Sequence, residues 1–457
     1  AMSKNGLRLL GILIAVVIVA AVAAVIGVSV WIQGYLRSED FRKLVAAKTG
    51  EAFRSEAVYR PFRWSGASVF SDSLEATGDP GSIVQSLKAD QVRAEVNWRA
   101  ILDGAWRVDR IDVVNFQGTF RPGSPAAPDS GPSTQRPEPS GLKGMLPKRF
   151  ELGQLNIADA RIGFQAADAR TLLVLDNSAL LVRPDGAGWT IEGTGGNLAV
   201  DPLPVLTVTT FRSRIQGPVF FLTDARFQIG ESGKLSAAGE FAAASKVSVE
   251  WNQVNIEPFL TPAWRSRLSG VVAGKADLSW PEAGPAAGQA SGTFRLTEGL
   301  VQNIQVLEKV ATFTGAPQFR RMPLQELSGQ FVWKNGILAL SSLILESKGL
   351  LRVEGVCTIA AGGAVDGTLR VGVTPQTLQW MPGSRERVFT TAQNGYLWTD
   401  VRIGGTVQNI EENLSARLAN AMKDEVIQQG TRALEALPGP AREGAKGLLD
   451  ALTPLIP

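Results

Sequence analysis

The stretch Leu350–Val373, LLRVEGVCTIAAGGAVDGTLRVGV, alternates with a period of two. Leu351, Val353, Gly355, Cys357 and Ile359 fall on one face of an extended chain, and Arg352, Glu354, Val356 and Thr358 on the other. After the turn residues Gly362 and Gly363 the pattern resumes with Val365, Gly367, Leu369, Val371 and Val373 on one side. Side chains along a strand point alternately to the two faces of a sheet, so the stretch predicts a hairpin with one apolar wall. That wall has to be hidden from water by a second sheet, a layer of helices or a ligand.

The same signal recurs at short spacing. Val247, Val249 and Trp251 oppose Ser248, Glu250 and Asn252; Ala276, Leu278 and Trp280 oppose Lys275, Asp277 and Ser279. Val92, Ala94, Val96 and Trp98 alternate with Arg93, Glu95 and Asn97, and the run WRVDRIDVVNFQGTF switches face near Val113 and Val114, as a bulge would make it do. Asn335-Gly336, Asp185-Gly186 and Gly195-Gly196 supply turn chemistry between runs. Few helical patterns interrupt them; NIQVLEKVATFTG, with Ile304, Leu307 and Val310 on one side, is one. The expectation is a mainly β protein, a long meander of antiparallel strands without the helices of a βαβ fold.

Chemistry is narrowed by what is missing. The chain contains no histidine, which excludes Ser-His-Asp, Cys-His and HExxH sites. Its one cysteine, Cys357, admits no intramolecular disulfide and reads as a small buried hydrophobe. A net charge of +3 without a basic cluster points to no nucleic-acid partner. The carboxylate pairs Asp109/Asp112 and Glu411/Glu412 lie where solvated charges are ordinary, and no Gly-rich phosphate loop joins a strand to a helix. The expectation is a non-enzymatic protein with no catalytic residue, cofactor or metal.

Residues 1–8 read as a short tail with a cloning scar before Met2. Leu9–Ile32 follows without a charge. At 1.5 Å per residue it reaches roughly 36 Å, enough to cross a bilayer core of about 30 Å, so it reads as an uncleaved transmembrane anchor. Lys4 and Arg8 precede it and Arg37, Arg42 and Lys43 follow it, so flanking charge does not set its orientation. Ser38 is a candidate N-cap, with Glu39 and Asp40 in the first turn, Phe41, Leu44 and Val45 on one face and Gly50 as a stop. That helix caps a β core or lies on a membrane surface. Residues 37–121 form a helix and a first β portion; 122–148, rich in Pro, Gly and Ser, form a flexible loop. Residues 149–409 carry the main β region. Residues 410–457 carry amphipathic helices, with Leu414, Leu418, Ala421, Leu434 and Leu437 as apolar positions that pack on the end of the sheet or meet a membrane or partner.

The order of these features resembles the AsmA-like proteins of Gram-negative envelopes, relatives of TamB. The anchor is followed by a helix containing Thr49-Gly50, then by a unit with Ile101-Leu102-Asp103-Gly104 between two strands. The stretch from about 290 to 375, SGTFRLTEGLV to GTLRVGVTP, is similar to the C-terminal region of that family. The resemblance implies a curved, groove-like antiparallel sheet with an apolar interior. It implies an inner-membrane-anchored, periplasm-facing protein that binds acyl chains, with phospholipid, the inner membrane and other envelope proteins as partners. On that reading Leu351, Val353, Ile359, Leu369, Val371 and Val373 are the candidate lining. A scaffold for assembling outer-membrane proteins, working through sheet edges, is the alternative.

Overall fold

A period-two pattern folds into ladders only where turns permit it, and in the computed structural model the turns do so almost everywhere. The structure describes residues 38–97, 105–121, 149–281, 287–304, 317–379 and 383–435, apart from isolated positions, together with a few residues between those ranges. The Leu9–Ile32 run, Trp98, Ile101–Gly104, the 122–148 segment and Leu437 lie outside the described residues. No helix among the described residues is long and apolar enough to cross a membrane. The chain forms two compact units, one up to Gly217 and one from Pro218. The division therefore falls within the predicted main β region, not at the Pro-rich segment.

The first unit opens with α1 (Glu39–Phe53). Ser38 caps it by accepting from the Phe41 N–H at 3.3 Å. Gly50 does not end the helix: Arg54 does, in the left-handed conformation at φ 46°. Gly50 serves close packing instead, since a Cβ there would lie 2.4 Å from the Ser55 carbonyl oxygen. Phe41 is buried, its ring 6.1 Å from Phe62 and 6.3 Å from Trp64, so α1 caps β structure.

Behind it come β1 (Ser55–Tyr59), β2 (Arg63–Ser65), β3 (Ser68–Gly78), β4 (Val84–Asn97), β5 (Ala105–Phe120), β6 (Arg149–Leu152), β7 (Leu155–Gln165), β8 (Thr171–Asp185), β9 (Gly188–Thr194), β10 (Asn197–Val200) and β11 (Leu206–Gln216). Each neighbouring pair is antiparallel except where β5 meets β6 and β7. There the pairing is parallel, Ala105 opposite Arg149 and Ile111 opposite Leu155. A wholly antiparallel meander was expected; parallel neighbours require a long crossover, and 122–148 is the segment that provides it. That segment does not separate two β bodies, because β5 and β7 share one sheet.

The face switch expected near Val113 and Val114 is present: Val113 is buried, Val114 and Asn115 are both exposed, and the inward positions then resume at Phe116 and Gly118. It comes without a register shift, because the partner Gln91 takes φ 55° and switches with it. The switch recurs at Asn177 on β8 (φ 56°). It recurs again at Gly195-Gly196, which is no hairpin turn but a break between β9 and β10, both paired with β8. A Cβ on Gly196 would sit 2.4 Å from the Asp176 carbonyl oxygen.

The second unit is an antiparallel ladder in sequence order: β12 (Val219–Ile229), β13 (Gly233–Phe241), β14 (Ser245–Asn255), β15 (Leu268–Trp280), β16 (Gln289–Gln302), β17 (Arg321–Leu324), β18 (Glu326–Lys334), β19 (Ile337–Ser347), β20 (Leu351–Ile359), β21 (Val365–Val373), β22 (Thr391–Gln393), β23 (Tyr396–Gly405) and β24 (Ile410–Glu412). Both β17 and β18 pair with β16, and both β22 and β24 with β23. Asn335 and Gly336 turn β18 into β19 with φ 52° and 74°, as a two-residue hairpin needs. The short helices α2 (Pro262–Arg265), α3 (Pro375–Leu378) and α4 (Ser384–Arg387) and the longer α5 (Leu414–Glu435) complete it. Residues 307–308 and 311–312 are helical, and Leu307 packs against buried Ala311 and Phe319.

Candidate functional site

Cross-strand partners share a face, so the register of the second unit fixes what each face carries. One face runs Phe220–Phe241, Leu235–Trp251, Val249–Ala276, Gly274–Phe294, Gly292–Phe331, Leu340–Cys357, Val353–Val371 and Leu369–Val401. Followed through every pair from β12 to β21, this face contains no Asp, Glu, Lys or Arg. The opposite face carries the charges, for example Glu240 opposite Lys246 and Glu250 opposite Lys275.

Aromatic rings lie down on this apolar face. A Cβ on Gly274 would be 2.6 Å from the Trp251 ring, one on Gly292 2.9 Å from Phe331, and one on Gly329 3.0 Å from Phe294. Each ring therefore covers a glycine on the neighbouring strand. Phe220, Phe241 and Trp280 continue the set, with ring centroids 5.6 and 5.9 Å apart. Trp251, Phe294, Phe331, Trp333 and Leu340 are half-buried.

The hairpin of β20 and β21 forms in the expected register: Leu351 faces Val373, Val353 faces Val371 and Ile359 faces Val365. What covers it differs along its length. Val371 and Val373 are buried in a cluster with Leu378 of α3, Val388 and Phe389 after α4, Leu397 and Val401 of β23, and Leu418 and Ala421 of α5. Leu351, Val353 and Leu414 pack against that cluster. Ile359 and Leu369 are half-buried outside it. Four of the six candidate lining residues thus sit under a layer of helices, and two remain on the face without it. The expected packing of the C-terminal helix on the end of the sheet holds for Leu414, Leu418 and Ala421. Its start is fixed by Glu412, whose Oε2 accepts from the Leu414 and Ser415 N–H groups at 2.6 and 2.9 Å.

The candidate carboxylates Asp109 and Asp112, in the first unit, have partners of their own. Asp109 meets Arg107 at 3.0 Å, and Asp112 meets Arg110 at 2.8 Å and Asn156 at 2.6 Å. Burial pushes the Cys357 thiol up, and the Asp366 carboxylate adds to it. Among the described residues no three His, Cys, Asp or Glu side chains gather where a metal ion would be held.

Beneath the hairpin's polar side, Arg352 bridges Glu354 at 2.8 Å and Glu346 at 3.1 Å, and the Tyr396 hydroxyl donates to Glu346 at 3.0 Å. Burial first, then the hydrogen bond to Glu346 and its charge, raise the Tyr396 phenol above the ordinary tyrosine range. Burial also raises Tyr59, against the lowering effect of its contact with Thr49. An unfolded tyrosine loses its proton near pH 10 while these folded ones still hold theirs. Stability is therefore complete below about pH 10 and falls as pH rises through the folded values. Absorbance at 295 nm should show Tyr396 titrating late, and Tyr396→Phe should flatten the alkaline loss of stability; an ordinary titration for Tyr396 would contradict this network.

Compared with protein-family models, curated proteins and solved structures, the chain matches none.

Proposed function

We propose that the charge-free face of β12–β19 holds the acyl chains of lipids, in a protein anchored to a bacterial inner membrane and working in the periplasm. The observation that carries this reading is the face itself: free of charge at its paired positions, half-exposed at Trp251, Phe294, Phe331, Trp333 and Leu340 and buried at Val254, Leu296 and Met322, with its rings laid flat over glycines. An apolar face that packs a second layer sends side chains up into that layer, as the Val371 cluster does. Rings lying on their own sheet leave a floor on which a flexible chain can rest. Burial of each methylene is worth about 0.8 kcal/mol, so covering a sixteen-carbon chain gains on the order of 12 kcal/mol before ordering costs. The long antiparallel sheet and the resemblance to AsmA-like proteins support a groove serving phospholipid transport.

The test is photocrosslinking in the full chain. A benzophenone amino acid replaces Phe294 or Phe331 on the floor, Thr293 on the polar face, or Phe389 under the helices. Lipid adducts should form from the two floor positions only, and Val249→Asp should reduce the Phe294 adduct at least several-fold. Equal adducts from Thr293, or none from the floor, would overturn the reading. Adducts to protein strands in place of lipid would favour the assembly-scaffold alternative.

A further inference from the structure

The connections at one end of the second unit's strands differ in chemistry from the rest. Between β14 and β15 the chain runs IEPFLTPAWRSR, Ile256–Arg267, through a 3-10 turn (Glu257–Phe259) and α2. Phe259 is 43% exposed in this loop, which also carries Leu260 and Trp264. Leu260 and Trp264 beside it are half-buried, and the Arg267 guanidinium lies 5.8 Å from the Trp264 ring centre. The end of β16 joins this loop to a second one. The Gln302 N–H donates to the Arg267 carbonyl at 2.9 Å, and Gln302 pairs with Arg321. Arg267 and Arg321 therefore flank one residue on neighbouring strands, with roughly 10 Å between their backbones.

Arg265 and Arg320 sit next to them, making four guanidinium groups at one strand end. Among the described residues none of the four has a carboxylate partner; Arg265 donates only to the Leu260 carbonyl, at 3.0 Å. Elsewhere among the described residues arginines such as Arg352, Arg110 and Arg214 pair with a carboxylate, and others such as Arg60 and Arg183 stand singly; here four without such a partner stand together. Glu257 is the one acidic residue of the 256–267 loop.

We infer that this end of the sheet, Phe259, Trp264, Arg265, Arg267, Arg320 and Arg321, is a contact surface for an anionic lipid bilayer. Phosphate groups of a leaflet supply the negative charge that the protein itself does not offer these arginines. An exposed phenyl ring and a tryptophan have their favoured place at the boundary between headgroups and acyl chains. A soluble anion would satisfy the arginines and leave Phe259 unexplained; a neutral bilayer would do the reverse. Each basic side chain near an anionic surface strengthens binding on the order of five-fold, falling as salt rises. The inference does not depend on what the apolar face holds.

The experiment is hydrogen exchange read by mass spectrometry over residues 256–267 and 317–324. The full chain is reconstituted in phosphatidylcholine bilayers and challenged with phosphatidylglycerol-containing vesicles, and separately reconstituted in phosphatidylglycerol-containing bilayers. The expected result is a several-fold slowing of exchange in both segments in at least one arrangement. It should be absent with phosphatidylcholine alone and lost in about 0.5 M salt, where screening shortens to a few ångströms. A variant carrying Arg265→Gln, Arg267→Gln, Arg320→Gln and Arg321→Gln should lose it too. Phe259→Ser should weaken it while leaving its lipid preference. The arginines are largely at the surface, and unchanged exchange in β13 and β14 verifies that the variant is folded. No phosphatidylglycerol-dependent slowing in either arrangement, equal slowing with phosphatidylcholine, or the same slowing from glycerol phosphate alone would each overturn the inference.

Discussion

Val371→Asp unfolds the C-terminal end of the second unit. Val371 is 8% exposed and faces α3, α5 and β23. A cation stands nearby: the Arg417 guanidinium donates to the hydroxyl of Thr399, the residue opposite Val371, and to the Asp400 carbonyl. A carboxylate placed at 371 either draws Arg417 off those partners or stays unpaired, at a cost on the order of 4 kcal/mol, a large part of what a domain of this kind has. Hydrogen exchange should show protection lost together across residues 365–405 and 414–435. Val249→Asp is the internal comparison. It lies on the same face of the same ladder, but on the half-exposed floor, where a carboxylate can reach water, and it should cost about 1–2 kcal/mol. Equal effects at the two positions would mean that the face is covered alike along its length.

Phe389→Ala has the second largest effect, about 3–5 kcal/mol. Phe389 is 2% exposed and is among the largest fully buried side chains of the protein. Its N–H donates to the Ser384 carbonyl at 2.9 Å, which holds the ring in place just after α4. Gly383 brings this segment against α5: at φ 76°, its Cβ would lie 2.6 Å from the Ala421 carbonyl oxygen. The surrounding backbone is thus too close-packed to collapse into the space a phenyl ring leaves. The expected readout is undocking of α5, seen as faster exchange over 414–425. Arg387→Ala, which removes the ion pair to Asp424 at 2.7 Å, should change exchange far less, because both side chains are at the surface. Equal losses from the two variants would assign the docking of α5 to charge and not to packing.

Much of the ladder was legible in the sequence because period two is a local property. The register of β20 and β21, the Asn335-Gly336 turn and the face switch at Val113 and Val114 all follow from residues a few positions apart. The parallel join of β5 to β7 was not, because a Pro- and Ser-rich segment carries no record of where its ends must go. Nor were α3 and α4: each has four residues, too few for a 3.6-residue period to register. Those two helices decide what lies over Val371 and Val373. Alternation told which side chains share a wall; it is silent about what stands opposite, and so the six candidate lining residues divided: four under the helices and two, Ile359 and Leu369, half-buried beyond them.

The parallel join also sets a minimum length. The chain leaves β5 at Phe120 and must return to the level of Ala105 before Arg149 can pair with it. Sixteen strand residues measure roughly 50 Å, which about 15 extended residues can span. The segment between, fully extended, would reach about 90 Å. It can lose nearly half its residues and still make the return. Trimmed below that reach, it would force β7 to enter from the opposite end, and every later connection of that unit would emerge at the other rim.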